Sequence, residues 1–385
     1  MTVSALSRPG QRERVSVKLT EIDWRLAGLL AFIAGMGAMM LYSIAGGSWK
    51  PWAEAHLIRF FLLFGVMIVL SLIDLRVWYG LAYPVYLVAL LMLIAVPIAG
   101  QTHLGARRWL GVGHATIQPS EVMKLGLVMA LSRYYHNLTA KQARWSWKLL
   151  PPAAMILVPV LLIAKQPDLG TAILLALTGG VMMFMGGLTW KVIWAGVIAV
   201  GAAVPPAIMF VLKPYQRDRF FTFLHPDKDP SGKGYHIIQS EIAAGSGGLL
   251  GKGYLLGTQS QLNFLPEKQT DFIFSTVAEE FGFVGCLVVL MAYGAIIFTA
   301  LRIASTSHSH FGRMAAAGMT ATFAMYVLIN GAMVIGLAPV VGVPQPLLSY
   351  GGTVMVTVMI GFGLVQAVRV HRYFELPRGG RGLFF

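Results

Sequence analysis

Charge is scarce in this chain and cysteine is nearly absent. Only 12% of its 385 residues are Asp, Glu, Lys or Arg, well below the roughly 25% of soluble domains. With 56% apolar residues, a soluble globular domain is excluded, and lipid replaces water as the solvent of the outer surface. The single cysteine, Cys286, rules out an intrachain disulfide, a CxxC pair and a Cys/His metal site. It lies in an apolar run and reads as a buried free thiol. No Walker loop, GxGxxG fingerprint, HExxH or GxSxG occurs, so no nucleotide or redox cofactor is expected. The first residues lack a short apolar core followed by an A-x-A site, so the first apolar segment is expected to remain as an uncleaved anchor.

What the chain does have is a succession of long apolar runs. Spans of about 20 apolar residues are read at 24–45, 56–73, 78–98, 119–134, 149–165, 170–188, 190–212, 272–301, 314–338 and 349–370. The expected fold is therefore all-α, a polytopic integral membrane protein with about ten transmembrane helices. The fourth span is the weakest, being short and carrying Glu121 and Lys124. The eighth is long enough for its first turns to stand above the hydrocarbon. Ten spans put both termini on one side, and Lys and Arg concentrate in the loops of that side. By the positive-inside rule the tails 1–23 and 371–385 are cytoplasmic, and the membrane domain is 24–370. The one large loop, 213–271 between spans 7 and 8, then faces outward. Its patches His225–Gly234 and Gly245–Gly248 read as turns, and the stretch between them as a short interfacial helix. The net charge of +14 is scattered over loops, which fits anionic lipid surfaces rather than nucleic acid.

Ionisable residues at membrane boundaries are the candidates for chemistry. Asp271 stands just before the apolar run Phe272-Ile273-Phe274. It reads as a helix cap, as a general base or as a carboxylate for a divalent cation. Glu121 and Lys124 share a helix face at i,i+3 and read as an ion pair lining a polar cavity. Asp168, in the tight turn of KQPDLGTA, either caps the sixth span or joins that site. Arg107 and Arg108 suit a pyrophosphate through forked hydrogen bonds, and Trp109 beside them is an interfacial anchor or part of the same site. Arg59, inside the second span, is expected to face the bundle and pair with a carboxylate or a lipid phosphate. In PQPLLSYGGT, Ser349 reads as a cap, and Gly351 and Gly352 allow close helix approach.

Taken in order, GARRWL, QPSEVMK, QPDLGTA, GTQSQLNFLPEKQTDFIF, AEEFGFVG and PLLSYGGT resemble the SEDS family (shape, elongation, division and sporulation proteins). The form GTQSQLNFLPE is that of its elongation members. The resemblance implies a peptidoglycan glycosyltransferase that polymerises lipid II on the outer face of a bacterial inner membrane, with undecaprenyl pyrophosphate as leaving group. The family's essential motif aspartate falls on Asp271. Glu121, Lys124 and Asp168 match polar positions around its central cavity, and Arg59 and Trp109 match further sensitive positions. Also implied are a class B penicillin-binding protein transpeptidase as partner, the elongation machinery, and lipid II and the growing glycan strand as substrates. A divalent cation, Mg or Mn, would help Lys and Arg stabilise the leaving pyrophosphate. The rival readings are a lipid II flippase and a scaffold for the transpeptidase.

Overall fold

Ten helices fall on the ten apolar segments. The computed structural model describes residues 15–377 apart from 104–105, 113–114, 140–141, 143–146, 207–216, 218–220, 224–232, 263 and 266. A short helix α1 (Val15–Thr20) precedes α2 (Trp24–Ile44), α3 (Ala53–Ser71) and α4 (Leu75–Ala99). Next come β1 (Gln101–His103), β2 (Ala106–Val112) and β3 (Ala115–Ile117), then α5 (Pro119–His136), α6 (Leu150–Lys165), α7 (Leu169–Met185) and α8 (Trp190–Pro206). The segment between α8 and the next long helix contributes α9 (Lys233–Ser246) and α10 (Thr258–Gln261), and the last three long helices are α11 (Ile273–Thr306), α12 (His310–Val334) and α13 (Gly352–Val370). Seven segments, those of α2, α3, α4, α6, α11, α12 and α13, are long and apolar enough to cross a membrane. The protein is a multi-pass membrane protein.

The weakest expected span turns out to be the most enclosed. Every residue of α5 from Met123 to Ser132 is buried, because α4, α7, α12 and α13 pack around it. A helix that never meets lipid need not be apolar, which is why its hydropathy is low. Gly126 lets α4 come close: a Cβ there would lie 2.9 Å from Tyr86 Cα. Asp23, Asp74 and Ser309 start α2, α4 and α12 by accepting the N–H groups of Leu26, Arg76 and Gly312, the expected use of such residues at N-caps.

One feature departs from the sequence reading. The GARRWL motif, expected as a loop, enters β2 of a three-stranded antiparallel sheet at Ala106, within a mostly helical fold. Two of these strands are only three residues long, too short for a period to show. Helix α9, expected as a short interfacial helix, packs against α11 and α12, with Ser240 Oγ within 2.7 Å of Ser275 Oγ and 2.8 Å of Val334 O.

Helix α11 is broken near its N-terminal end. Gly282 has φ 62°, ψ −159°, a region open essentially to glycine alone. Loop 247–253 fills the break. Lys252 and Gly253 N–H donate to the carbonyls of Glu279 and Glu280, while Phe283 and Val284 N–H donate to those of Gly248 and Leu249, all within 2.9–3.1 Å. The C-terminal limb, 283–306, is about 36 Å long at 1.5 Å per residue, sufficient alone to cross the hydrocarbon. The N-terminal limb, 273–281, is thereby free to carry polar residues. Gly282→Ala combines a forbidden φ with a Cβ 2.7 Å from the Leu249 carbonyl. It is expected to cost about 1–3 kcal/mol from the backbone alone, read as a lowered Tm of the detergent-solubilised protein. An unchanged Tm would contradict the interlock.

Candidate active site

A cavity of about 980 Å³ opens where the sheet, the 267–271 turn and the start of α13 meet. Its walls carry Asp271, Glu121, Lys124, Asp168, Arg59, Arg108 and Trp109, seven of the eight residues singled out in the sequence. Glu267, Tyr326 and Tyr350 line it as well.

At its floor is a buried triad. Lys124 Nζ donates to Glu121 Oε1 at 2.6 Å and to the Tyr326 hydroxyl. That hydroxyl lies 3.0 and 2.9 Å from the two Glu121 oxygens, and Lys124 sits 4.5 Å from the Tyr326 ring centre. The ammonium is thus compensated on two sides, which is what permits a lysine only 2% exposed. Asp168 lines the same cavity. It caps α7 through Thr171 N–H at 3.3 Å and pairs with Arg108 at 3.9 Å.

The two arginines of GARRWL do not act together. Pairing runs from Thr102–Arg107 directly to Gln101–Trp109, leaving Arg108 as the extra residue of a β-bulge. A bulge re-aims side chains and breaks alternation. Arg108 and Trp109 both line the cavity, whereas Arg107 is exposed and donates to Pro97 O at 3.4 Å. Arg108 is held by the Pro167 carbonyl. Arg59 has no ion pair among the described residues; its guanidinium stacks 4.8 Å from the Tyr350 ring centre.

Asp271 is the electrostatic oddity of the site. Burial, with the carboxylates of Glu267 and Asp168 adding repulsion, pushes its pKa up to about 7. Excess negative potential of this kind suits a cation, yet among the described residues no three His, Cys, Asp or Glu side chains converge to hold one. The protein offers no complete cage by itself. It fits the usual Mg²⁺ arrangement, in which one or two carboxylates share the ion with substrate phosphates.

Sequence reasoning missed Tyr326 and Asn330, although a signal was available. Thr322, Tyr326 and Asn330 recur at every fourth residue of an otherwise apolar helix, a polar stripe on one face. It also missed the purpose of Glu279, which lies on the N-terminal limb of α11. Its carboxylate accepts from Lys252 Nζ at 2.8 Å, Thr258 Oγ1 at 3.0 Å, Gln259 N–H at 3.0 Å and Ser260 N–H at 3.4 Å. Glu279 so ties α10 to α11, and Lys268, on the segment leading to Asp271, donates to the Ser260 carbonyl.

Known proteins resemble this chain in sequence and in fold. The sequence pattern of the FtsW/RodA/SpoVE cell cycle proteins matches residues 21–374. A protein of Escherichia coli strain K12, peptidoglycan glycosyltransferase MrdB, is 44% identical over 315 residues, covering 80% of this chain and 82% of that one. Among solved structures, a chain from a peptidoglycan synthase complex that coordinates polymerisation and crosslinking superposes with TM-score 0.76 at 34% identity, over 91% of this chain and 98% of that one. The rod shape determining protein RodA of Thermus thermophilus gives TM-score 0.69 at 28% identity, over 92% and 98%.

Proposed function

The chain belongs to the FtsW/RodA/SpoVE family of cell cycle proteins, and we infer that it is a peptidoglycan glycosyltransferase whose polymerising centre is the cavity around Asp271. The observation that carries this reading is the gathering of seven sequence positions, from Arg59 to Asp271, around one cavity. The transport and scaffold readings are not favoured, since the MrdB relative is named for glycosyl transfer.

The reaction joins an acceptor sugar hydroxyl to the anomeric carbon of a lipid-linked donor. Asp271 takes the hydroxyl proton as the oxygen attacks, and the bond from the anomeric carbon to the pyrophosphate breaks. Negative charge develops on the leaving pyrophosphate, and Arg108, Arg59 and Lys124 on the same cavity are the cations that stabilise it. A carboxylate with a pKa near the working pH is well matched to this proton transfer. A divalent cation, Mg or Mn, would be held by Asp271 together with pyrophosphate oxygens, and it would supply further stabilisation of the leaving group. The substrate is lipid II, whose prenyl chain carries its own leaving group, so no nucleotide is required.

The same reading places the site on the outer face of the bacterial inner membrane. The tails 1–23 and 371–385 are cytoplasmic, in keeping with the distribution of Lys and Arg. A class B penicillin-binding protein is the partner that crosslinks the product, supported by the synthase complex among the structural relatives.

The test is polymerisation by the purified protein with such a partner, lipid II and Mg²⁺ or Mn²⁺, followed by the length of the glycan product. Absence of polymer from the folded complex would overturn the assignment. A second expectation concerns pH. Where Asp271 acts as the base rather than as a ligand of the ion, its pKa, raised to about 7, makes kcat/KM for lipid II rise through neutrality and level off above it. A profile already level well below neutrality would contradict the role of base.

A further inference from the structure

Three successive peptide carbonyls of the catalytic turn are each held by a donor from a distant part of the chain. Tyr350 N–H donates to Gln269 O at 2.8 Å. Ser349 Oγ donates to Thr270 O. Asn330 Nδ2 donates to Asp271 O at 2.7 Å. The two side chains are themselves fixed. Asn330 is fully buried, and its Nδ2 also donates to Val343 O at 2.7 Å. Ser349 Oγ accepts the Gln345 N–H at 2.9 Å.

The location explains what such a clamp does. Helix α11 starts at Ile273, so Asp271 lies just outside it. Residues ahead of a helix have no intrahelical bond to fix their φ and ψ. Within the turn the bonds are local, from Thr270 and Phe272 N–H to Glu267 O at 3.0 and 3.4 Å. They close the turn without fixing it against the bundle. The external donors do that, and they come from two elements, α12 and the 343–350 segment. Reversal of the Asn330 amide would set its oxygen against two carbonyl oxygens, so its orientation is determined.

We propose that Asn330 and Ser349 are positioning residues for polymerisation, clamping consecutive carbonyls so that the Asp271 carboxylate stays aimed into the cavity. The proposal rests on Asp271 being the base. Neither side chain touches substrate; both act through the backbone they hold. The PLLSYGG motif thereby gains a purpose beyond helix packing. Its serine, expected to cap α13, makes no cap bond there and spends its hydroxyl on the turn instead.

The experiment uses the full chain with its transpeptidase partner, comparing Asn330→Ala, Asn330→Asp and Ser349→Ala with wild type. Misplacement of a reacting group by about 1 Å costs on the order of 10²-fold in rate. Asn330→Ala and Ser349→Ala should accordingly lower kcat by about 10–100-fold. KM for lipid II should stay within about threefold, since transition-state geometry rather than binding is lost. Asn330→Asp, which sets an acceptor against the carbonyls, should fall at least as far. Independently of activity, hydrogen exchange should quicken across 267–274 while α2 and α5 exchange at wild-type rates. Thr320→Ala is the control on the same helix: its hydroxyl bonds only its own helix, at Ala316 O, and activity should be retained.

Wild-type kcat in both alanine variants, or exchange that quickens uniformly with loss of fold, would overturn the clamp. Should Asn330→Ala fail to fold, Ser349→Ala decides the matter. Full activity in Asp271→Asn would instead overturn the base, whereas an inactive Asp271→Asn with normal clamp variants would overturn the clamp alone.

Discussion

Asp271→Asn is expected to slow glycan polymerisation by about 10²–10⁴-fold, the usual contribution of a general base, while the protein still folds and binds its partner. The substitution keeps the size of the side chain and removes its negative charge, and with it the capacity to take a proton or to hold a cation. The same change is expected to stabilise the protein at neutral pH. The folded pKa of Asp271 is raised to about 7, above the ordinary carboxylate value. The folded state therefore binds more protons than the unfolded state between the two values, and stability falls as pH rises through that window. An asparagine cannot ionise, so its variant should lose this pH dependence. Lower activity with equal or higher Tm at neutral pH is the expected pair of results. Unchanged polymerisation, or a lowered Tm that accounts for the loss, would contradict it.

Lys124→Met is expected to produce the largest loss of stability. The ammonium and Glu121 are both almost inaccessible, at 2% and 5%, and removing one partner leaves the other as an uncompensated buried charge. Such changes cost about 3–5 kcal/mol. The Tyr326 hydroxyl would keep its bonds to Glu121 but supplies no charge. The double variant Glu121→Gln/Lys124→Met should recover much of the loss, because breaking a buried pair costs more than replacing it. Thermal unfolding of the single and double variants measures the difference. Polymerisation should stay low in both, since Lys124 is proposed to stabilise the leaving pyrophosphate. A double variant less stable than Lys124→Met would show that the pair is not coupled in this way.

How much of this was legible in the sequence depends on the range of the interactions. Apolar length found the helices, because each long run must satisfy its backbone internally in lipid. Single polar residues at membrane depth found most of the site, since nothing but function or pairing retains them there. Three things escaped. The strand that carries Arg108 and Trp109 pairs with two strands of three residues, too short to show alternation, and the bulge that separates Arg108 from Arg107 is a matter of register, which composition does not record. Tyr326 is a bulky residue in an apolar run, and only its i,i+4 relation to Thr322 and Asn330 betrays a polar stripe. The break at Gly282 depends on a loop from about thirty residues away in sequence, so the glycine alone reads as ordinary helix packing. Long-range hydrogen bonds decide all three.

The central claim is that the cavity around Asp271 holds the reacting sugar and its pyrophosphate. The most direct measurement is a structure of the protein with its transpeptidase partner and an unreactive lipid II analogue. The account predicts the pyrophosphate against Arg108 and Lys124, with a sugar hydroxyl about 2.6–3.2 Å from the Asp271 carboxylate or joined to it through one ion. An analogue whose head group binds elsewhere, leaving this cavity to solvent in an active complex, would contradict it.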